Sequence, residues 1–252
     1  MNLIKQSYEI IHPTGDFKKD IELAARVSYK SEDRITEGSA EKMFNNLVNN
    51  NHTSCLEFGT IYLTVPIDSE VITGYTGCHW NKFYLHDGNW YITTNARHVQ
   101  RFNLWDDVKK YGCEPTEYHA KRITVKFTTN RAVSHELVRH RMFSFCQESQ
   151  RFVNYSKAKF GSNITFIEPV WEYDEAYLDM LKNAEQNYFT LLNKGWTPQQ
   201  ARTVLPNETK TEIYMCGYLD DWEHFNSLRT APSADPMMRD LVDGLYDKIY
   251  AL

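Results

Sequence analysis

Between positions 139 and 151 the chain carries Arg139, His140, Arg141 and Arg151, with Met142, Phe143 and Phe145 set among them. A merely solvated charged face would not be interleaved with large apolar side chains. A guanidinium held against apolar groups needs a fixed partner, because an unpaired buried charge is costly. The planar fork of arginine matches phosphate bidentately and stacks on flat rings, so a ligand with phosphates and aromatic rings, a nucleotide or a flavin, would satisfy both tendencies. The same side chains would equally suit an internal network with the protein's own 33 Asp and Glu, since structural ion pairs imitate sites. Beyond Arg141 the pattern reads as extended, which places Gln147, Ser149 and Arg151 on one side at a period of two.

Two other chemistries are set aside. His135-Glu136 followed by His140 suggests a zinc helix, but the histidines are five apart. At ~100° per residue they fall about 140° apart around a helix and cannot grip one metal; no metal site is expected. No GxGxxG follows a strand, so a Rossmann cradle is unsupported and any dinucleotide must be held by side chains and other backbone.

Composition narrows the class. Net charge is −5, whereas a nonspecific nucleic-acid binder is usually basic; an anionic ligand must meet a local arginine cluster, and no nucleic-acid partner is expected. The 13 Phe, 16 Tyr and 6 Trp give either a bulky core or a site lined with flat rings. Cys55, Cys78, Cys113, Cys146 and Cys216 are odd in number, scattered and without CxxC spacing, which argues against a disulfide framework and fits a reducing cytoplasm. Met1 to Pro13 lacks the basic head and apolar run of a signal peptide, and no apolar stretch reaches bilayer length, so no membrane association is expected.

The elements that must position these residues are partly readable. Asp20–Tyr29 and Ser39–Asn49 have helical spacing, and Thr60–Val65 alternates as a strand. From Pro66 to Glu117 the character shifts to glycines and tryptophans, with Trp90–Thr94 as a short strand and Ala96–Trp105 as a helix. Arg122–Thr128 alternates with Ile123, Val125 and Phe127 on one face, and Asn130 caps a helix running to about Arg139. Asp174–Asn193 is a helix stopped by Gly195, Thr197-Pro198 opens a short helix that Pro206 closes, and Asp221–Leu228 and Asp235–Tyr250 read as two more helices. Strands followed by helices, without a βαβ rhythm, predict an α+β fold with mixed helices packed on an antiparallel sheet.

Arg139-His140-Arg141, seven residues, then Ser149 matches the RHR-x7-S signature of the flavin-dependent (ThyX-type) thymidylate synthases. The run through Gln147-Glu148-Ser149-Gln150-Arg151-Phe152 and Asn154-Tyr155-Ser156-Lys157 is similar to one branch of that family. Ala24-Ala25-Arg26-Val27-Ser28-Tyr29 resembles its early AARVS helix and His52-Thr53-Ser54-Cys55-Leu56-Glu57-Phe58 its His-x-[Ser/Thr]-x-x-Glu segment. Ala201-Arg202-Thr203-Val204-Leu205-Pro206 resembles its AR-x-VLP helix, and Ser227-Leu228-Arg229 its late L-R element. The likeness spans most of residues 1–252, read as a single domain of ThyX-type fold. Residues 66–117 are the exception and look like a family-variable insertion before the signature.

The resemblance implies reductive methylation of dUMP to dTMP, with 5,10-methylenetetrahydrofolate as carbon donor and NADPH-reduced FAD as hydride source, in a cytoplasmic homotetramer whose sites form between subunits. It implies that Arg139, His140 and Arg141 contact FAD, with His52, Ser54 and Gln147 beside it. Ser28 would add a phosphate contact, with capping or packing as the other reading. Tyr218 and His224 fall where relatives place FAD-touching asparagines, with ordinary helix packing the alternative. Gln147, Glu148, Ser149, Gln150 and Arg151 would wrap dUMP, joined by Arg139 and by Glu136, which stands where many relatives have Gln; Arg151 and Arg202 would hold its phosphate. Gln147 departs from a common Glu and Gln150 from a common Gly. Arg229 would lie over the uracil as the catalytic residue, stabilising its ionised form. Cys146 has no nucleophilic role in this resemblance, and Ser149, a weak nucleophile without an adjacent base, is assigned substrate positioning.

Overall fold

The computed structural model of the chain describes residues 1–157 and 161–252. Its first half runs β1 (Asn2–Ile4), β2 (Ser7–Ile11), α1 (Phe17–Val27), α2 (Ser39–Asn49), β3 (Thr60–Pro66), β4 (Lys82–His86), β5 (Asn89–Asn95), α3 (Ala96–Phe102) and α4 (Trp105–Tyr111). It continues through β6 (Arg122–Asn130), α5 (Arg131–Leu137), β7 (Ser144–Gln147), β8 (Thr165–Ile167), α6 (Glu175–Asn193) and α7 (Pro198–Ala201). The chain then forms β9 (Lys210–Tyr218), α8 (Leu219–Arg229), α9 (Pro236–Leu241) and α10 (Leu245–Tyr250).

The central sheet has the order β2-β6-β9-β7 and is antiparallel throughout. The predicted alternation in β6 holds: Ile123, Val125 and Phe127 are buried on one face. They pack with Ile213 and Met215 of β9 against Val133 and Leu137 of α5, Trp222 and Phe225 of α8, and apolar residues of α9 and α10. The other face of the sheet presents Cys146, Tyr214 and Cys216 to Ala24 and Val27 of α1 and to Phe58. A sheet with helices on both faces and no parallel crossover in its order is the α+β arrangement that the sequence predicts.

A second sheet, β3-β5-β4, is also antiparallel. Its inner residues Leu63, Val65 and Ile92 share a core with Ile21 of α1, Phe44 and Leu47 of α2, and Ala96 and Val99 of α3. Residues 66–117 contribute Tyr75, Ile92, Ala96 and Val99 to this shared core, and β5 pairs with β3 along its whole length. A third cluster joins Leu181 and Tyr188 of α6 to Phe166, Tyr155 and Ala201.

Several boundaries differ from the sequence reading. The segment Ala96–Trp105 divides into α3 and α4 at Asn103, which adopts φ 54°. Asp235–Tyr250 divides into α9 and α10 at Gly244, whose φ of 64° is open to glycine but strained for other residues. The helix capped by Asn130, whose side chain accepts from the Val133 amide at 2.8 Å, ends at Leu137, so Arg139 to Arg141 lie in the loop that follows. The helical angle between His135 and His140 consequently does not describe them. The extended run ends at Gln147; Ser149 and Arg151 lie at and within a turn, and the expected one-sided row does not form.

Candidate active site

The loop from Val138 to Phe143 is pinned from below. Phe143 is buried, with its ring edge-on to Trp222 at 4.8 Å and to Phe225 at 6.0 Å. It sits directly over Gly217, where a Cβ would come within 2.4 Å of the Phe143 ring. Glycine on β9 is what lets the ring seat, and burying such a side chain is worth roughly 1.5–3 kcal/mol. His140 is the second anchor, edge-on to Phe225 at 4.8 Å. With these two side chains turned inward, Arg139 and Arg141 are exposed.

Together with Met142, Phe143, Asp221, His224, Leu228 and Arg229, these loop residues line a cleft of about 290 Å³. Arg229, at the end of α8, crosses the cleft. Its Nε donates to His140 Nε2 at 2.8 Å, its Nη1 to Glu136 Oε2 at 2.5 Å, and its Nη2 to the Glu136 carbonyl at 2.9 Å. His140 must accept through Nε2 and is therefore neutral. Burial, then the charges of Arg229 and His224, push its pKa down to about 4. Among the described residues Arg139 and Arg141 form no ion pair, whereas Arg229 pairs with Glu136. The internal-network reading concerns Arg139, Arg141 and Arg151; among the described residues none of these three has an ion pair, and the arginine of the cleft that does is Arg229.

A second polar patch lies toward the other ends of β7 and α5. Gln147 Nε2 donates to Ser134 Oγ at 2.9 Å and Thr211 Oγ1 at 3.1 Å. The Glu148 carboxylate is buried and accepts from Tyr155 Oη and Lys210 Nζ, each at 3.0 Å, so it braces the turn. The Ser149 amide donates to the Ser28 carbonyl at 3.1 Å. Gln150 Nε2 is buried without a hydrogen-bond partner among the described residues, a state that costs roughly 1–3 kcal/mol unless something accepts from it. Arg151 is exposed and donates from Nε to Gln199 Oε1 of α7 at 3.0 Å; Arg202 follows directly after α7.

Arg131 joins this patch and was not anticipated from the sequence. Its Nη1 reaches toward the Glu148 carbonyl at 3.4 Å and Thr211 Oγ1 at 3.3 Å. Burial, with the nearby Arg202 cation, lowers its pKa, while Tyr155 and Glu148 oppose that shift. Nothing in its spacing marks it; it is legible only once β9 and α5 are brought together.

The remaining candidates divide. His52 and Ser54 are exposed, the first just before and the second on the short turn Thr53–Phe58, which touches β7 through Cys55 and Cys146. Tyr218 is placed away from the cleft lining: it is buried, and its hydroxyl is shared between the carbonyls of Trp80 at 2.7 Å and Thr93 at 2.9 Å. His224 lines the arginine cleft. A larger cavity of about 600 Å³, bordered by His12, Tyr62, His119 and Arg122, contains none of the candidate residues.

Residues 103–252 match the family model described as "Thymidylate synthase complementing protein". The chain is similar to the flavin-dependent thymidylate synthase of Corynebacterium aurimucosum, 38% identical over a 126-position alignment that covers 44% of this chain and 51% of that protein. It is 33% identical to the enzyme of the same name from Corynebacterium glutamicum, covering 44% and 50% respectively. The chain thus spans about half the length of the curated relatives it matches. A crystal structure of a UMP/dUMP methylase from Streptomyces cacaoi bound with 5-Br dUMP aligns over 100% of this chain and 92% of that one, at 18% identity and a TM-score of 0.47.

Proposed function

The chain belongs to the flavin-dependent thymidylate synthase family, and we propose that it converts dUMP to dTMP with 5,10-methylenetetrahydrofolate as one-carbon donor and NADPH-reduced FAD as hydride source. The observation that carries this reading is the pair Arg139 and Arg141: exposed cations on either side of a neutral histidine, with no carboxylate partner among the described residues of a chain of net charge −5.

The residues suit FAD in two respects. Arg139 and Arg141 are free to fork onto phosphate, and Phe143 and Leu228 give the cleft apolar walls. At about 290 Å³ the cleft is at the lower end for a single small ligand, so only part of a dinucleotide would enter it. The rest would lie across exposed Met142 and Leu228, beside His52, Ser54 and Ser28, or against another copy. This supports a homotetramer in which the arginine cleft of one subunit meets the nucleotide patch of the next. Bound FAD, once reduced by NADPH, would supply the hydride that completes the new methyl group.

The protein's own part is electrostatic. C5 of uracil becomes nucleophilic as negative charge enters the ring, and a fixed guanidinium stabilises that charge. Arg229 spends three of its five N–H groups on Glu136 and His140. That fixes the plane and leaves two for the ring. Gln150 and Ser149 orient the nucleotide, and Arg131, Arg151 and Arg202 hold its phosphate. Residues 1–252 act as one catalytic domain, with 66–117 as a family-variable insertion, in a cytoplasmic setting that scattered cysteines accord with.

Tritium release from dUMP labelled at C5 tests this. The wild-type chain releases tritium only with the folate, NADPH and FAD present. Arg229→Ala keeps its flavin absorbance and loses about 10²–10³-fold in rate, the scale of one preorganised charge. Activity retained within a few-fold overturns the role given to Arg229, and no release by the wild type overturns the activity.

A further inference from the structure

Cys146 lies in the strand that leads from the arginine loop into Gln147–Ser149, and its Sγ is 3.5 Å from Cys55 Sγ on the turn that carries His52 and Ser54. Both thiols are free. Ser28 Oγ lies 3.3 Å from Cys146 Sγ, and the Ser28 carbonyl takes the Ser149 amide. Two thiols in contact, ninety-one positions apart in sequence, thus join two candidate site segments. The reaction proposed above uses neither. We propose that Cys55 and Cys146 form a redox-responsive dithiol, a modification site that closes to a reversible disulfide on reaction with a low-molecular-weight disulfide.

The two partners have different roles. Cys55 is partly exposed and Cys146 is buried, so Cys55 is the entry point. The hydrogen bond from Cys146 favours the Cys55 thiolate and lowers its pKa, while that same bond and burial raise that of Cys146. The Cys55 thiolate attacks one sulfur of the reagent and expels a thiolate, leaving a mixed disulfide. Cys146 loses its proton and attacks Cys55 Sγ, expelling the second thiol. The protein gives up two protons and two electrons, and the reagent is reduced to two thiols. Closing the bond draws the sulfurs from 3.5 Å to ~2.05 Å, an approach of about 1.5 Å, and leaves the Ser28 hydroxyl facing a disulfide sulfur in place of a thiol. Displacements of this size matter in a site that depends on orientation.

The full chain is incubated with oxidised glutathione, alkylated and mapped by mass spectrometry. A Cys55–Cys146 crosslinked peptide, two hydrogens lighter than the reduced pair and removed by dithiothreitol, is the predicted product; Cys113→Ser leaves it unchanged, and Cys55→Ser and Cys146→Ser each abolish it. Glutathione adducts confined to Cys78 and Cys113, or a Cys146–Cys216 crosslink, would overturn the proposal. A second arm rests on the nucleotide reading: oxidation should weaken dUMP binding at least tenfold in the wild type and leave Cys55→Ser unaffected. Unchanged dUMP affinity in the crosslinked protein would overturn the coupling. A crosslink in protein that binds no dUMP when reduced would count against the nucleotide reading and leave the dithiol standing.

Discussion

His140 accepts a hydrogen bond from Arg229 Nε, which only a neutral ring can do, and its pKa near 4 is the electrostatic counterpart of that geometry. An unfolded histidine titrates near 6.5. Above that pH the residue adds no pH dependence. As the pH falls from about 6.5 toward 4, the unfolded chain takes up a proton that the folded chain refuses, and stability declines by roughly 1–2 kcal/mol after allowance for the half-exposed ring. NMR titration of the His140 ring should show a midpoint near 4 in the wild type and a higher one in Arg229→Ala, where one of the opposing charges is gone. A midpoint near 6.5 in the wild type would contradict this account. The sequence made Arg139, His140 and Arg141 visible because two arginines flank a histidine just before an apolar run. Arg131 was invisible because its partners, Thr211 and the Glu148 carbonyl, are distant in the chain.

At the scale of elements, the arginine loop depends on α5 ending at Leu137 and on Phe143 seating over Gly217 of β9. Gly217→Ala puts a methyl group in the space of the Phe143 ring, and overpacking of this kind costs about 1–3 kcal/mol. The variant should have a lowered Tm and weakened flavin binding together, because the displaced ring carries the loop with it. A lowered Tm with unaltered flavin affinity would show that the loop is held by something other than Phe143. Helices with clear apolar spacing, such as α2 and α6, were legible, and so was the alternating strand β6. β9 was not, although it is one of the two central strands of the sheet. It is buried at every position after Lys210, so it lacks the alternation that reveals a half-exposed strand.

Among the described residues the apolar core forms three clusters plus a smaller one beneath β7, and the region around residues 66–117 must be tied to the central sheet. Tyr218 does part of this, reaching from the end of β9 to the carbonyls of Trp80 and Thr93. Tyr218→Phe should lower stability by about 1–2 kcal/mol, the cost of leaving buried carbonyls short of a donor, with no change in the flavin spectrum. A spectral change without a stability change would return Tyr218 to the flavin contacts that family likeness implies. Sequence patterning predicted α+β correctly. The pairing of β3 with β5 and the wall that Tyr218 bolts down depend on contacts between distant segments, which periodicity does not encode.

The central claim, that Arg139 and Arg141, without an ion-pair partner among the described residues, hold an anionic flavin nucleotide, is tested most directly by titrating purified apoprotein with FAD and following the flavin's visible absorbance, with and without dUMP. The account predicts saturable binding by the wild type, at least a tenfold loss in the doubly substituted Arg139→Ala, Arg141→Ala protein, and an unchanged Tm in that variant because both side chains are exposed. Equal FAD affinity in the two proteins, or no binding by either, would contradict it.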